Sequence, residues 1–209
     1  MFGADVFTFR EFMMREPFPL ATLQNAVLEF LRGRHDVVVF GAQAVNAYVN
    51  EPCMTQELDL LSTRAEAVAQ ELRDYLHQRF RIAVRVRRVG AGRGFRLFQV
   101  RKSGNRHLVD LRLVETLPLT ERIAGVLVMA PAELIASKVI AYHQRRGQPK
   151  SGTDWRDLAM LLLTFPALKR DPGPVVERLH AVGAAPEVFG VWHELVAQHI
   201  RPAEEDEEF

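Results

Sequence analysis

Two acidic residues separated by a single leucine are the clearest chemical feature of the sequence. Glu57 and Asp59 lie in the alternating stretch ELDLLS, which is typical of a β-strand. Because successive strand residues point to opposite faces, both carboxylates lie on one face of this strand. Asp110 has the same relation to the apolar residues of the stretch 107–115. Carboxylate oxygens are ligands that Mg²⁺ prefers, so the three acids form a candidate metal site; the alternative is an ordinary polar strand face.

A glycine marks a second candidate site. Gly41 follows the β-branched run DVVVF and precedes the helix-compatible run AQAVNAYV. The free N–H groups at the start of a helix are a natural seat for a phosphate. This helix also returns the chain toward the strand that precedes it. We therefore expect Thr55, Glu57 and Asp59 to lie beside the turn formed by Gly41 and Ala42.

Further charged residues lie in two helices predicted near the C-terminus. Lys138 is the one charged residue between Glu133 and Arg145 in an apolar helix. Its ammonium group either reaches solvent at the end of the aliphatic side chain or meets a specific anion. Asp154 and Asp157 share a face of the next helix. Asp154 also suits the N-cap of that helix, because SGTD is typical of a helix start.

Between residues 74 and 110 the sequence contains ten Lys and Arg residues and no Asp or Glu. Alternation places Arg81, Arg85 and Arg87 on one face of a strand predicted to begin at Phe80. Such a face binds the phosphates of an anionic partner, or it is simply solvated. From the residues alone, both interpretations stay open.

Hydrophobic periodicity predicts the elements that position these residues. Helices are expected at 20–31, 42–49, 64–78, 131–146, 154–164 and in two segments between 173 and 200. Strands are expected at 36–40, at 57–62, from residue 80, at 95–102 and at 107–115, the last three forming a meander. The resulting organisation is an α/β core over 1–130, a helical part over 131–203 and an acidic tail over 204–209.

Composition excludes several classes of protein. The 209 residues are 48% hydrophobic and 25% charged, as in an ordinary globular protein, and no apolar run reaches the roughly 20 residues of a membrane span. The single Cys53 cannot form an internal disulfide or a thiolate metal site. The first residues do not resemble a secretory signal, so we expect a cytoplasmic protein.

In their order, the motifs resemble the nucleotidyltransferase superfamily that includes DNA polymerase β. Its signature of strand, glycine turn, helix and Asp-x-Asp strand corresponds to VVVFGAQAVNAYVNEPCMTQELDLLS. PAELIASKVIAYHQRR and TDWRDLAMLL extend the resemblance to minimal nucleotidyltransferases of the AbiEii toxin type, over about residues 36–164. Glu57 replaces the usual first aspartate, and Ala42 replaces a glycine or serine.

The resemblance implies a nucleotidyltransferase fold of the α/β (α+β) class, with a mixed twisted sheet flanked by helices. It implies an enzyme that transfers an NMP from an NTP to a hydroxyl group of RNA, tRNA or a protein, and a cognate antitoxin as a possible partner. Mg²⁺ or Mn²⁺ would be bound by the catalytic carboxylates Glu57, Asp59 and Asp110, and Asp154 would activate the acceptor hydroxyl or support the site. The implied nucleotide contacts are Gly41, Ala42, Thr55 and Lys138, and the implied acceptor contacts are Arg81, Arg85 and Arg87.

Two other functions remain open. Glu57 and Ala42 favour a catalytically silent member of the fold that binds nucleotide or RNA. A metal-dependent phosphohydrolase would use the same carboxylates, but no histidine accompanies them in the sequence. The acceptor can also be a small molecule, since no motif identifies it.

Overall fold

The computed structural model describes residues 18–51, 55 and 57–202. The chain divides into two compact units, one formed by 1–44 and 53–129 and the other by 45–52 and 130–209. The domain limits expected from the sequence stay predictions. Cys53 and the acidic residues 204–208 lie outside the described residues.

The helices and strands follow the hydrophobic pattern of the sequence closely. The helices are α1 (Leu20–Leu31), α2 (Gly41–Tyr48), α3 (Ala65–Phe80), α4 (Pro131–Gln144), α5 (Lys150–Thr164), α6 (Pro174–Ala181) and α7 (Pro186–Ala197). The strands are β1 (Val37–Phe40), β2 (Leu58–Ser62), β3 (Val84–Val89), β4 (Gly94–Gln99), β5 (Arg106–Leu113), β6 (Thr120–Ile123) and β7 (Val126–Met129). Short 3-10 turns occupy Gly90–Gly92 and Pro166–Leu168.

The first unit is built on one mixed sheet of seven strands, in the order β3-β4-β5-β2-β1-β7-β6. The pairs β2–β5 and β1–β7 are parallel, and the other neighbours are antiparallel. The strand β1 lies near the middle of the sheet, and its three valines are buried, as expected for a strand covered on both faces. This mixed sheet with helices confirms the fold class predicted from the sequence.

The helices α1 and α3 pack on one face of the sheet, where α3 contacts β2, β3, β4 and β5. Leu58, Leu60, Val109 and Leu111 are each at most 1% exposed and form the core on this side. The alternation of β2 and β5 therefore turns the intervening acidic side chains to the opposite face.

Two local expectations from the sequence are wrong, and one strand was not predicted. Phe80 ends α3, and Arg81 caps it in the left-handed conformation at φ 55°, so the first strand of the meander begins only at Val84. The hairpin partner β6 was not predicted, because TERI alternates only weakly. Asp154 is not an N-cap, since α5 begins four residues earlier, at Lys150.

The second unit is helical. The helix α4 contacts α5, α6 and α7, and thus lies at the centre of the unit. Its buried residues Leu134, Ile135 and Val139 share the core with the fully buried Trp192 of α7. The two helices predicted on either side of Gly183 and Pro186 are confirmed as α6 and α7. In the described part of the chain, no helix has the length and apolar character needed to cross a membrane.

Candidate active site

A row of directly paired residues crosses the sheet of the first unit on the face opposite α1 and α3. Each pair is a register partner on neighbouring strands, and register partners point to the same face. From the edge strand β3 to β1, the row consists of Arg87, Arg96, Asp110, Asp59 and Phe40. Two arginines therefore lie next to two carboxylates across four adjacent strands.

Asp59 lies against the start of α2. The strand β1 ends at Phe40, the register partner of Asp59, and α2 begins at once with Gly41 at φ +71°. A Cβ atom added to Gly41 would lie 3.0 Å from both the Cβ and the Cγ of Asp59, and closer still to its Oδ2. Only glycine allows this turn and this approach together. Gly41 and Ala42 thus lie beside the Asp59 carboxylate, as the spacing predicted.

Thr55 is fixed by two glutamines of the first unit. The Nε2 of Gln43, a buried residue of α2, donates to Thr55 Oγ1 at 2.8 Å. The Nε2 of Gln24 on α1 donates to the Thr55 carbonyl at 3.0 Å. These bonds anchor the chain two residues before Glu57, which precedes β2 directly.

Asp110 contacts Arg96 and His107, whose imidazole is cationic only when protonated. Arg96 Nε donates to Asp110 Oδ1 at 2.8 Å, and His107 Nε2 lies 3.5 Å from the same oxygen and 3.2 Å from the Val109 carbonyl oxygen. Among the described residues, no hydrogen bond reaches Asp110 Oδ2. Asp110 therefore has one oxygen oriented by neighbours and one oxygen available to a ligand, which is a common arrangement around metal-binding carboxylates.

A β-bulge brings His107 to Asp110. Leu97 of β4 pairs with Val109, but the next residue, Phe98, pairs with His107, so Leu108 is an extra residue. Leu108 and Val109 are both buried. His107 consequently lies on the same face as Asp110, although an odd spacing of three would otherwise place it on the other face. Its ring stacks on Phe98, with the ring centroids 4.9 Å apart.

The electrostatics of this group follow from its contacts. The hydrogen bond to Asp110 raises the pKa of the His107 imidazole against the opposing effect of burial, and the negative charges of Asp110 and Glu57 add to the rise. Burial raises the pKa of the Asp110 carboxyl, but hydrogen bonds from His107 and Arg96 outweigh it, so this pKa lies below its ordinary value. Because the charge of Glu57 adds to the rise in the pKa of His107, the Glu57 carboxylate lies near the same imidazole.

The donor set suits a hard divalent cation. Asp59 and Asp110 are adjacent on one face, Glu57 lies close enough to act on His107, and Mg²⁺ or Mn²⁺ prefers carboxylate oxygens. In the described segments, no three His, Cys, Asp or Glu side chains are placed to bind a metal ion together as they stand.

The basic meander continues this face to the edge of the sheet. Arg85 and Arg87 are exposed on β3, and within the described chain neither makes an ion pair. Arg87 is the register partner of Arg96. Arg81 is exposed but belongs to the cap of α3, so it does not share their strand, contrary to the prediction.

Lys138, Asp154 and Asp157 form a separate buried cluster within the second unit. Lys138 Nζ lies 2.5 Å from Asp157 Oδ2 and 3.8 Å from Asp154 Oδ1. Arg145 Nη1 lies 2.5 Å from the other oxygen of Asp154. All three members of the cluster are buried. Lys138 thus meets a specific anion, a carboxylate of this chain, and does not extend to solvent.

Four residues of the first unit were not assigned a role from the sequence. Gln43 fixes Thr55, Arg96 and His107 hold Asp110, and Arg112 lies over the ring of Phe40 with its Cζ 4.9 Å from the ring centroid. Arg96 and Arg112 were visible as polar positions of alternating strands. Alternation does not predict the bulge that redirects His107 to Asp110, and the expectation that no histidine accompanies the carboxylates is therefore wrong.

Comparisons with known proteins identify the family of this chain. The family model described as "Nucleotidyl transferase AbiEii toxin, Type IV TA system" matches residues 40–186. No curated protein matches the chain significantly.

Three solved structures share the fold. The Megavirus polyadenylate synthase is 16% identical with a TM-score of 0.61; the match covers 78% of this chain and 35% of that one, so the chain spans about a third of the synthase. A putative nucleotidyltransferase from H. pylori is 13% identical with a TM-score of 0.53, over 85% and 88% of the two chains. JHP933 from Helicobacter pylori is 12% identical with a TM-score of 0.52, over 91% and 90%.

The matched segment begins at Phe40, directly before Gly41. It includes the candidate carboxylates of the first unit as well as the buried cluster of the second. It covers well over half of the chain. The resemblance inferred from the sequence motifs is confirmed, and the chain belongs to the AbiEii family of nucleotidyltransferases.

Proposed function

We propose that this enzyme transfers an NMP from an NTP to a hydroxyl group of an RNA acceptor, tRNA included. The observation that carries the proposal is the row across the sheet, in which exposed arginines lead directly to two carboxylates. Backbone phosphates of nucleic acids are bound by arginines without regard to sequence. The arginines therefore suit a polyanionic acceptor whose end reaches the carboxylates.

Glu57, Asp59 and Asp110 are the residues that would bind Mg²⁺ or Mn²⁺. When bound, the cation would supply positive charge to the reacting phosphate and to the attacking and leaving oxygens. Arg96 and His107 orient Asp110 through its Oδ1. Gly41 and Ala42 provide backbone N–H groups at the start of α2 for the phosphates of the NTP. Because NTPs are cytoplasmic metabolites, we place the reaction in the cytoplasm.

The roles expected for Lys138 and Asp154 stay predictions. Both side chains are already paired with opposite charges within the second unit, so we assign the metal and phosphate contacts to residues of the first.

The family description also leads us to propose a toxin that is controlled by a cognate antitoxin.

A second candidate function is nucleotide or RNA binding without transfer. The ion pair between Arg96 and Asp110 favours it, because it neutralises one of the three candidate metal ligands. A protein hydroxyl is the alternative acceptor for an active enzyme.

The decisive experiment is transfer of label from each of the four α-³²P-labelled NTPs, with Mg²⁺ or Mn²⁺, to total RNA and to total protein in parallel. We expect labelled RNA from the unaltered protein and none from Asp59→Asn, which should fold normally because it removes one charge from a cluster of carboxylates. Asp74→Asn, on the exposed face of α3, is the matched control and should label as the unaltered protein does. Labelled protein instead of RNA would identify the other acceptor, and NTP binding without any label would favour the silent fold.

A further inference from the structure

Arg112 is an exposed cation next to the candidate carboxylates that no part of the proposed chemistry yet uses. It lies on β5 two residues after Asp110 and therefore on the same face of the sheet. Its register partner on β2 is Leu61, two residues after Asp59. Among the described residues, Arg112 makes no ion pair and no hydrogen bond.

The position of its guanidinium is set by an aromatic ring. Arg112 Cζ lies 4.9 Å from the centroid of the Phe40 ring, although Phe40 is on β1, with β2 between the two strands. A guanidinium stacked on an aromatic face has lost part of its side-chain freedom but keeps its N–H groups directed outward in the plane. Arg112 is thus oriented in advance, and its hydrogen-bond donors are unused by the described chain.

Arg112 also stands on a particular side of the carboxylates. Arg87 and Arg96 flank Asp110 on the β3–β4 side, whereas the Arg112–Phe40 stack flanks Asp59 on the β1 side, beside Gly41. In an in-line displacement at phosphorus, the attacking oxygen and the leaving group lie on opposite sides of the reacting centre. Arg87 and Arg96 on one flank, and Arg112 on the other, are therefore placed to bind two different anions.

We propose that Arg112, stacked on Phe40, binds the β- and γ-phosphates of the NTP. This assignment rests on the proposed function and adds to it the residue that would bind the leaving pyrophosphate. The guanidinium matches two phosphate oxygens with parallel hydrogen bonds. The acceptor phosphates remain with Arg87 on the other flank.

The experiment measures the affinity of the full-length protein for inorganic tripolyphosphate by titration calorimetry, in Mg²⁺ buffer at fixed salt. Hydrogen bonds between charged groups predict that Arg112→Gln weakens binding by about 10- to 100-fold. The matched control is Arg88→Gln, which removes an exposed arginine of the opposite sheet face that pairs with Glu66, and it should leave affinity unchanged within about twofold.

Three further measurements make the test specific. Affinity for an NMP should be the same in Arg112→Gln and in the unaltered protein, because an NMP lacks the β- and γ-phosphates. Phe40→Leu should weaken tripolyphosphate binding, and the double variant should bind no more weakly than Arg112→Gln alone, since the ring acts through the arginine. Arg112→Lys keeps the charge without the planar guanidinium, so its tripolyphosphate affinity should lie between those of Arg112→Gln and the unaltered protein. Arg112→Lys replaces Arg112→Gln if the glutamine variant does not fold.

The outcomes separate this inference from the proposed function. Equal tripolyphosphate affinity of Arg112→Gln and the unaltered protein, with NMP transfer intact, would overturn the role of Arg112 alone. A raised KM for RNA with unchanged tripolyphosphate affinity would place Arg112 in the acceptor site and also overturn it. An unaltered protein that binds neither tripolyphosphate nor any NTP would overturn both the inference and the proposed function.

Discussion

Gly41 and Asp59 are in direct contact at the point where β1 becomes α2. The positive φ of Gly41 and the approach of the Asp59 side chain to its Cα each require a residue without a Cβ atom. The glycine therefore has two separable functions, one in the backbone turn and one in the space that it leaves for the carboxylate.

A pair of substitutions separates these functions. Gly33 has nearly the same backbone conformation, at φ +73°, but a Cβ added there meets nothing within 4 Å. Gly33→Ala should lower the free energy of unfolding by about 1 to 2 kcal/mol, the cost of a left-handed non-glycine residue. Gly41→Ala should cost more and also abolish transfer, because the added methyl group displaces Asp59. Urea unfolding and the labelled-NTP assay measure the two effects; equal losses of stability would show that the Asp59 contact adds nothing.

The arginines of β3 should govern the affinity for the acceptor. Replacing Arg85 and Arg87 by glutamine should raise the KM for RNA and reduce the slope of log K against log salt by about 0.7 for each lost phosphate contact. The KM for NTP should stay the same, since these residues lie on the acceptor side. Steady-state kinetics at several salt concentrations test this, with Arg88→Gln as control. If the salt slope of the double variant equals that of the unaltered protein, the arginines only form a solvated face.

The His107–Asp110 contact should make stability depend on pH. The raised pKa of His107 stabilises the fold fully below its ordinary value of 6.5, and this contribution is lost as pH rises through the folded pKa. The lowered pKa of Asp110 stabilises the fold above its ordinary value of 3.8 and is lost as pH falls through the folded pKa. The pair therefore contributes most between about pH 4 and 6.5.

His107→Gln removes the imidazole from this pair. The difference in unfolding free energy between the unaltered protein and His107→Gln should be largest near pH 5 to 6 and should shrink above pH 6.5. Urea unfolding of both proteins from pH 4 to pH 9 measures it. His77→Gln, on the exposed end of α3, provides the reference for a histidine that does not contact Asp110. A difference that stays constant with pH would mean that the two groups are not coupled in solution.

Lys138 should be required for the stability of the second unit. Lys138→Met leaves the buried Asp157 without its cation, and breaking a buried pair on one side costs about 3 to 5 kcal/mol. Adding Asp157→Asn should restore much of that loss, because the remaining amide carries no charge. The measurement is again urea unfolding, applied as a double-mutant cycle. Additive losses in the double variant would show that the two side chains are not paired.

Simple periodicity was sufficient to predict most of the fold and several of the site residues. Leu58 and Leu60 alternate with Asp59 in a way that predicts its face, and the order of motifs around Gly41 predicts the contact between turn and carboxylate. The partners of these residues were less accessible. Arg96 reaches Asp110 only because β4 and β5 pair in one register, and alternation within one strand does not predict either that register or the bulge that follows it.

The second unit shows a different limit of the sequence. The isolated charge of Lys138 left open whether the side chain reaches solvent or meets a specific anion, and its partners Asp157 and Asp154 come from α5. Helical spacing places those two aspartates on one face without specifying which helix they meet. Pairing between helices depends on packing of the whole core, which periodicity within one helix does not determine.

The extra residue in β5 also affects how this strand tolerates insertions and deletions. Deleting Leu108 would leave His107 and Asp110 two positions apart, so regular alternation would keep both on the same face without a bulge. Conversely, a histidine three positions before a strand aspartate, followed by two apolar residues, becomes a pattern that can be searched for in sequences. Strands with that pattern are candidates for the same redirected pair, at a spacing that alternation alone would reject.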